Sequence, residues 1–130
     1  MIDYKGVIIE ESLSDKKVLE KVKILSTKID PVTKKHKTPW IKQWTMHTVE
    51  VPGSKAQEVA TEISLALDSE HKWYADFEND NTHFIVFQNK VFKIDRTSKE
   101  QYDKAIRYGI SLGIPDYQLD FSPHIKQWER

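Results

Sequence analysis

The stretch WYADFENDNTHFIVFQNKVFKID, from Trp73 to Asp95, constrains the fold more than any other part of the chain. It sets three runs of strand-forming residues around two short polar interruptions, neither long enough to hold a helix. Strands joined this closely pair antiparallel with their sequence neighbours. The open variable is phase, because a one-residue change in a turn moves every side chain of the strand to the other face.

Asn89 and Lys90 read as a two-residue turn, since asparagine tolerates positive φ, and this turn pairs Phe87 with Phe92 and Ile85 with Ile94. In the earlier turn, a two-residue loop at Asp80 and Asn81 would bring Asp76 beside Ile85 on the apolar side. Burying a carboxylate there is costly. The expected connection is therefore the three-residue Asn79 to Asn81, which aligns Trp73, Ala75 and Phe77 with Phe87, Ile85 and His83. On that phasing Trp73, Phe77, Phe87 and Phe92 are core. Tyr74 and Phe84 share the reverse face with Val86, Val91, Lys93, Asp76 and Asp95, a face too apolar to be left wholly to water.

Around this meander the chain reads as strands and helices. Lys5 to Glu10, Val22 to Ile29 and Trp44 to Val51 are rich in β-branched residues. DPVTKKHKTP, from Asp30 to Pro39, is a polar connection bounded by prolines. Ser54 with Gln57, and Ser98 with Gln101, have the spacing of capping boxes. Each precedes an amphipathic stripe: Ala56, Val59, Ala60, Ile63, Ala66 and Leu67 in the first helix, then Tyr102, Ala105, Ile106, Gly109 and Leu112 in the second. Gly113 is placed as a left-handed cap before Pro115, and Tyr117, Leu119 and Phe121 alternate as a final strand.

The expectation is one α+β domain over 1–130, with N-terminal strands in 1–30, a polar connection in 31–43, a core in 44–121 and a tail in 122–130. The core is expected to be ferredoxin-like, with two helices on one face of a mixed, mainly antiparallel sheet. The echo of EISLAL in GISLGI and the 44-residue offset of the two capping boxes fit two related halves. The N-terminal strands then either extend the sheet or fold over its reverse face.

Composition excludes several classes. There is no cysteine, so disulfides and thiolate metal sites are absent. The opening MIDYKGVIIEESLSDKK reads neither as a signal peptide nor as a membrane span, and the expected setting is cytoplasmic with no membrane partner. Twenty basic and twenty acidic residues cancel, so any attraction to nucleic acid must be local. The local candidate is KKHKTPWIKQW, where Lys34, Lys35, Lys37 and Lys42 surround Trp40 and Trp44. Lysines neutralise phosphates and rings stack on bases, which permits single-strand binding. A solvated loop anchored by a tryptophan accounts for the same residues. THFIVF is faintly similar to the aromatic motif of RNA-binding ferredoxin-like domains, but the preceding basic and glycine positions are missing and Asp76, Glu78 and Asp95 oppose phosphate.

Catalytic and metal signals are weak. DFENDNTHFIVF begins like a calcium loop, yet Asn81 stands where glycine is needed and Phe87 where a glutamate is needed. His36, His47, His71, His83 and His124 show no four-residue pair, and no catalytic residue, metal or cofactor is assigned. His47, His83 or Asp76 could act only if folding assembled them. Gly109 and Gly113 have the spacing of a membrane-helix packing motif in a segment too polar to span a bilayer. IKQW occurs twice, at Ile41 to Trp44 and Ile125 to Trp128.

The segments TPWIKQWTMHTVEVP, WYADF, VFKIDR and YGISLGIP resemble those of small prokaryotic proteins of no known activity. The resemblance implies a compact stand-alone protein and carries no site residue. The functional expectation is a non-catalytic protein-interaction or self-associating domain, with binding residues Trp40, Trp44, Tyr74, Phe84 and Lys93. Single-stranded nucleic-acid binding through Lys34 to Trp44 is the alternative, and a small-molecule enzyme with a histidine and carboxylate site the third.

Overall fold

The computed structural model describes residues 3–31, 43–68, 73–114 and 119. The strands are β1 (Tyr4–Ile9), β2 (Lys23–Pro31), β3 (Gln43–Val51), β4 (Tyr74–Glu78), β5 (Thr82–Phe87) and β6 (Lys90–Asp95); the helices are α1 (Ala56–Ala66) and α2 (Lys99–Ser111). Short 3-10 segments at Glu10–Ser12 and Lys16–Lys21 connect β1 to β2, the second tied to α1 by an ion pair from Lys21 to Glu62 at 2.6 Å. The expected strand at Tyr117 to Phe121 and the second IKQW lie outside the described residues.

All strand pairs are antiparallel, in the order β2-β3-β1-β4-β5-β6. This is an α+β fold, but the order is not that of a ferredoxin-like sheet. The N-terminal strand neither prolongs the sheet nor covers it; β1 is inserted between β3 and β4, and β2 forms the edge. Close approach of β1 to β4 requires Gly6, where a Cβ would lie 2.0 Å from the Asp76 carbonyl oxygen.

The two helices lie on opposite faces, which corrects the expectation of one helical layer. Val59, Ala60 and Ile63 of α1 pack with Tyr4, Ile8, Phe77, Phe84 and Val86. Tyr102 and Ala105 of α2 pack with Ile85, Phe87 and Ile94. Residues 84 and 85 of one strand point to opposite sides, so the two clusters are the two faces of one sheet. Each fully buried aliphatic side chain contributes about 1.5–3 kcal/mol, so both layers carry stability. Rings join within each layer, Phe77 with Phe84 at 5.2 Å on one side and Phe87 with Tyr108 at 5.2 Å on the other.

The β4–β5 phase reverses the expected one. Tyr74 faces Phe87, Asp76 faces Ile85, Phe77 faces Phe84 and Glu78 faces His83, which is the register of the two-residue loop Asp80 and Asn81. Asn79 makes that loop: its side-chain oxygen accepts from the amides of Asn81 at 2.9 Å and Thr82 at 2.8 Å. Between β5 and β6, Phe87 pairs with Lys90 and Ile85 with Phe92, so the turn is Gln88 and Asn89, with Asn89 at φ 58°. That register differs from expectation by two residues and preserves every face.

Helix ends follow the sequence unevenly. Ser98 accepts from the Gln101 amide as expected, although the Gln101 side chain turns to the Asp95 amide. Gly113 adopts φ 96° beyond α2. Ser54 makes no capping bond; residues Gly53–Lys55 form a 3-10 turn, and α1 begins after it.

Candidate functional site

The aromatic residues singled out in the sequence do not form one surface. Tyr74 and Phe84 point to opposite faces. Phe84 is 2% exposed beneath α1, and half-buried Tyr74 packs on Phe87 with centroids 6.1 Å apart. Lys93 is exposed and holds its ammonium 6.0 Å from the Phe84 ring centroid. Trp44 is half-buried against Trp73, 5.9 Å between centroids. Trp40, Lys34, Lys35, Lys37 and Lys42 lie outside the described residues, as do His36, His71 and His124.

What the fold does assemble is a charged cluster under α2. His83 Nε2 lies 2.6 Å from Asp76 Oδ2, and its Nδ1 lies 3.0 Å from the Tyr102 hydroxyl and 3.4 Å from Glu78 Oε2. Arg96 Nε stands 3.3 Å from Glu78 Oε2, while its Nη1 donates to the Asn79 carbonyl at 2.9 Å. The tight β4–β5 turn brings Asp76, Glu78 and His83 to one face, the β6–α2 turn supplies Arg96, and α2 supplies Tyr102. Burial pushes the Tyr102 phenol up to about 12, against the opposing pull of a hydrogen bond and charge from Arg96. With a neutral imidazole the bonds run in one direction, from the Tyr102 hydroxyl to Nδ1 and from Nε2–H to Asp76.

Four of these side chains are at most 1% exposed and Arg96 is 8% exposed. Acid–base work requires contact with a reacting group, and Arg96 is the most exposed member of the cluster. The direct effect of the cluster is to cross-link β4, β5, the β6–α2 turn and α2, and to make the Asp76 phase tolerable.

A second histidine stands at the other end of the sheet. Where β1 ends, the Glu11 carboxylate takes over as acceptor for β3, receiving the Thr45 amide at 2.6 Å and the Thr45 hydroxyl at 2.7 Å. Burial would raise the Glu11 carboxyl, but these two bonds and the nearby Lys16 charge hold it below its ordinary value. Beside it, His47 Nδ1 lies 2.9 Å from Thr27 Oγ1 and Nε2 lies 3.2 Å from Glu10 Oε1; Glu10 is 3.7 Å from Lys16. The order hydroxyl, imidazole, carboxylate is that of a nucleophile relay, with its hydroxyl on the edge strand β2 and its imidazole on β3. These contacts fasten β2 to β3 and to the Glu10–Ser12 turn. Two shallow grooves lie elsewhere, one lined by Val18, Lys21, Glu62 and Leu65, the other by Thr82, Lys93, Asp95 and Gln101, and neither includes a histidine.

The third feature is β2 itself. Among the described residues no strand lies beyond it, and Ile24, Leu25 and Ile29 are 44%, 42% and 57% exposed. Sequence reasoning found this strand but not its edge position, which depends on β1 entering the sheet's interior. Among the described residues no group of three or more histidine, aspartate or glutamate side chains could hold a metal ion, and no helix is long and apolar enough to cross a membrane. No family model, curated protein or solved structure matches the chain.

Proposed function

We propose that the protein is a non-catalytic interaction domain whose contact element is the β2 edge. The observation that carries this reading is the exposure of Ile24, Leu25 and Ile29 on the terminal strand of the sheet. An edge strand presents a row of backbone donors and acceptors to any extended segment that aligns with it. Apolar side chains on that strand add side-chain affinity and select the partner. The Ile24–Ser26 bulge, Lys23 and Pro31 restrict pairing to the middle of the strand, which limits indiscriminate aggregation.

This moves the contact from the ring surface around Tyr74 and Phe84 to a strand edge. It is supported over catalysis because the larger histidine cluster is buried. It is supported over nucleic-acid binding because the Trp44 ring is packed on Trp73, within a chain of balanced charge. A labelled peptide of sequence KILSTKIDP tests it by fluorescence anisotropy. The expected result is saturable binding that Ile29→Lys in the protein weakens at least tenfold. A flat titration up to the solubility limit of the peptide refutes the edge as a contact element.

A further inference from the structure

We infer that the strand received at this edge is β2 of a second copy of the chain, running antiparallel about a two-fold axis at Thr27; the inference rests on reading β2 as a contact edge. An isologous contact requires a strand that complements itself, and the β2 sequence can be examined register by register. The bulge between Ile24 and Ser26 lets Ile24, Thr27 and Ile29 face Val49, His47 and Thr45, which share one side of β3. A bulge-free strand could not place residues 24, 27 and 29 on a common face.

With the axis at Thr27 and the bulged Leu25 outside the ladder, Ile24 stands opposite the partner's Ile29, Ser26 opposite the partner's Lys28, and Thr27 opposite the partner's Thr27. The two apolar pairs are formed by residues that are 44% and 57% exposed in the single chain. Apolar and threonine pairs each contribute about 0.2–1 kcal/mol across strands, in addition to the backbone bonds. No like charges face each other. The neighbouring registers fail on charge or length. An axis at Lys28 sets two ammonium groups face to face, which is destabilising. An axis at Ser26 places Ile24 against the partner's Thr27 and Lys23 against the partner's Lys28, two like charges face to face. An axis at Ile29 leaves a short overlap ending at Pro31, which has no amide hydrogen to donate. Only the Thr27 axis matches apolar with apolar and hydroxyl with hydroxyl while keeping the lysines apart. The six-stranded sheets of two copies then join into one continuous sheet.

The chain has no cysteine, so single introduced thiols report the register cleanly. Facing Cα atoms in an antiparallel pair are about 4.5–5.5 Å apart, within disulfide reach. Sedimentation of the unmodified protein is expected to give about twice the 15.3 kDa chain mass, and Thr27→Cys is expected to form a covalent dimer on mild oxidation. Because Thr27 bonds His47, a second test leaves that bond intact: Ile24→Cys and Ile29→Cys proteins, one tagged, are expected to cross-link when mixed and not when oxidised singly. A monomer by sedimentation with no cross-link in either test overturns the inference, as does self-linking of Ile29→Cys alone. If the KILSTKIDP peptide binds while these tests fail, the edge receives strands other than a second copy; if the peptide also fails, the contact edge itself is lost.

Discussion

The half of the sheet between the two helices and the wing formed by β2 and β3 distribute their residues in opposite ways. Between the helices, Asp76, Glu78, His83 and Arg96 are buried, each near a charge or hydroxyl of its own neighbours. On the wing, Ile24, Leu25 and Ile29 stand in water on a strand with one side unpaired by any described strand. The difference separates two uses of an unfavourable placement. A buried charge with its partners fixes which register can form, because the wrong phase leaves carboxylates without counter-groups. An exposed apolar strand is unfavourable only while the chain is alone, and a matching edge relieves it.

Substitutions in the two regions therefore report on different measurements. Arg96→Met, which keeps most of the side-chain volume and removes the guanidinium from Glu78, is expected to lower folding stability by about 3–5 kcal/mol in urea unfolding. A loss below about 1 kcal/mol breaks the contrast at its stronger end.

Tyr102 gives a second, smaller measure. Its phenol is held at about 12 in the folded chain against an ordinary value near 10. A raised folded value contributes stability fully below pH 10, and this is lost as pH rises from 10 to 12. The two-unit shift is worth on the order of 2–3 kcal/mol. Urea melts at pH 9 and pH 11.5 should show stability falling more steeply in the native protein than in Tyr102→Phe. Parallel slopes would place the phenol in contact with solvent.

The smallest expected stability effect belongs to the wing. Ile29→Lys should change monomer stability by less than about 0.5 kcal/mol, the ordinary range for a surface site, while abolishing association in sedimentation. A loss comparable to that of Arg96→Met would show Ile29 to be core and remove the distinction.

Local signals in the sequence were readable where the physics is local. Ser98 caps α2, Gly113 closes it with positive φ, and the apolar stripe of α1 is buried as its spacing required. Ser54 misled because a 3-10 turn over Gly53–Lys55 moved the start of α1 beyond its reach. The β4–β5 turn misled for a different reason. Asn79 has the residue type that stabilises a tight turn through its own side chain, whereas the expected loop rested only on the apparent cost of Asp76 on the apolar side. That cost is set by His83, two positions along the adjacent strand, and by Tyr102, which stands on the same side but on a helix that strand pairing does not bring into view. The ring surface expected from Tyr74 and Phe84 depended on that phase and dissolved with it.

From the sequence alone came the kinds of element, most of their ends and the antiparallel meander, because hydrophobic period, caps and turns act over a few residues. Tertiary structure alone decided the strand order, the face each helix covers and the phase of β4. Those depend on Gly6 admitting β1 beside Phe77, and on Asp76 meeting His83, Arg96 and Tyr102 within one buried cluster. The energy of a buried carboxylate belongs to the groups around it, and those groups come from separate elements that only the folded chain brings together.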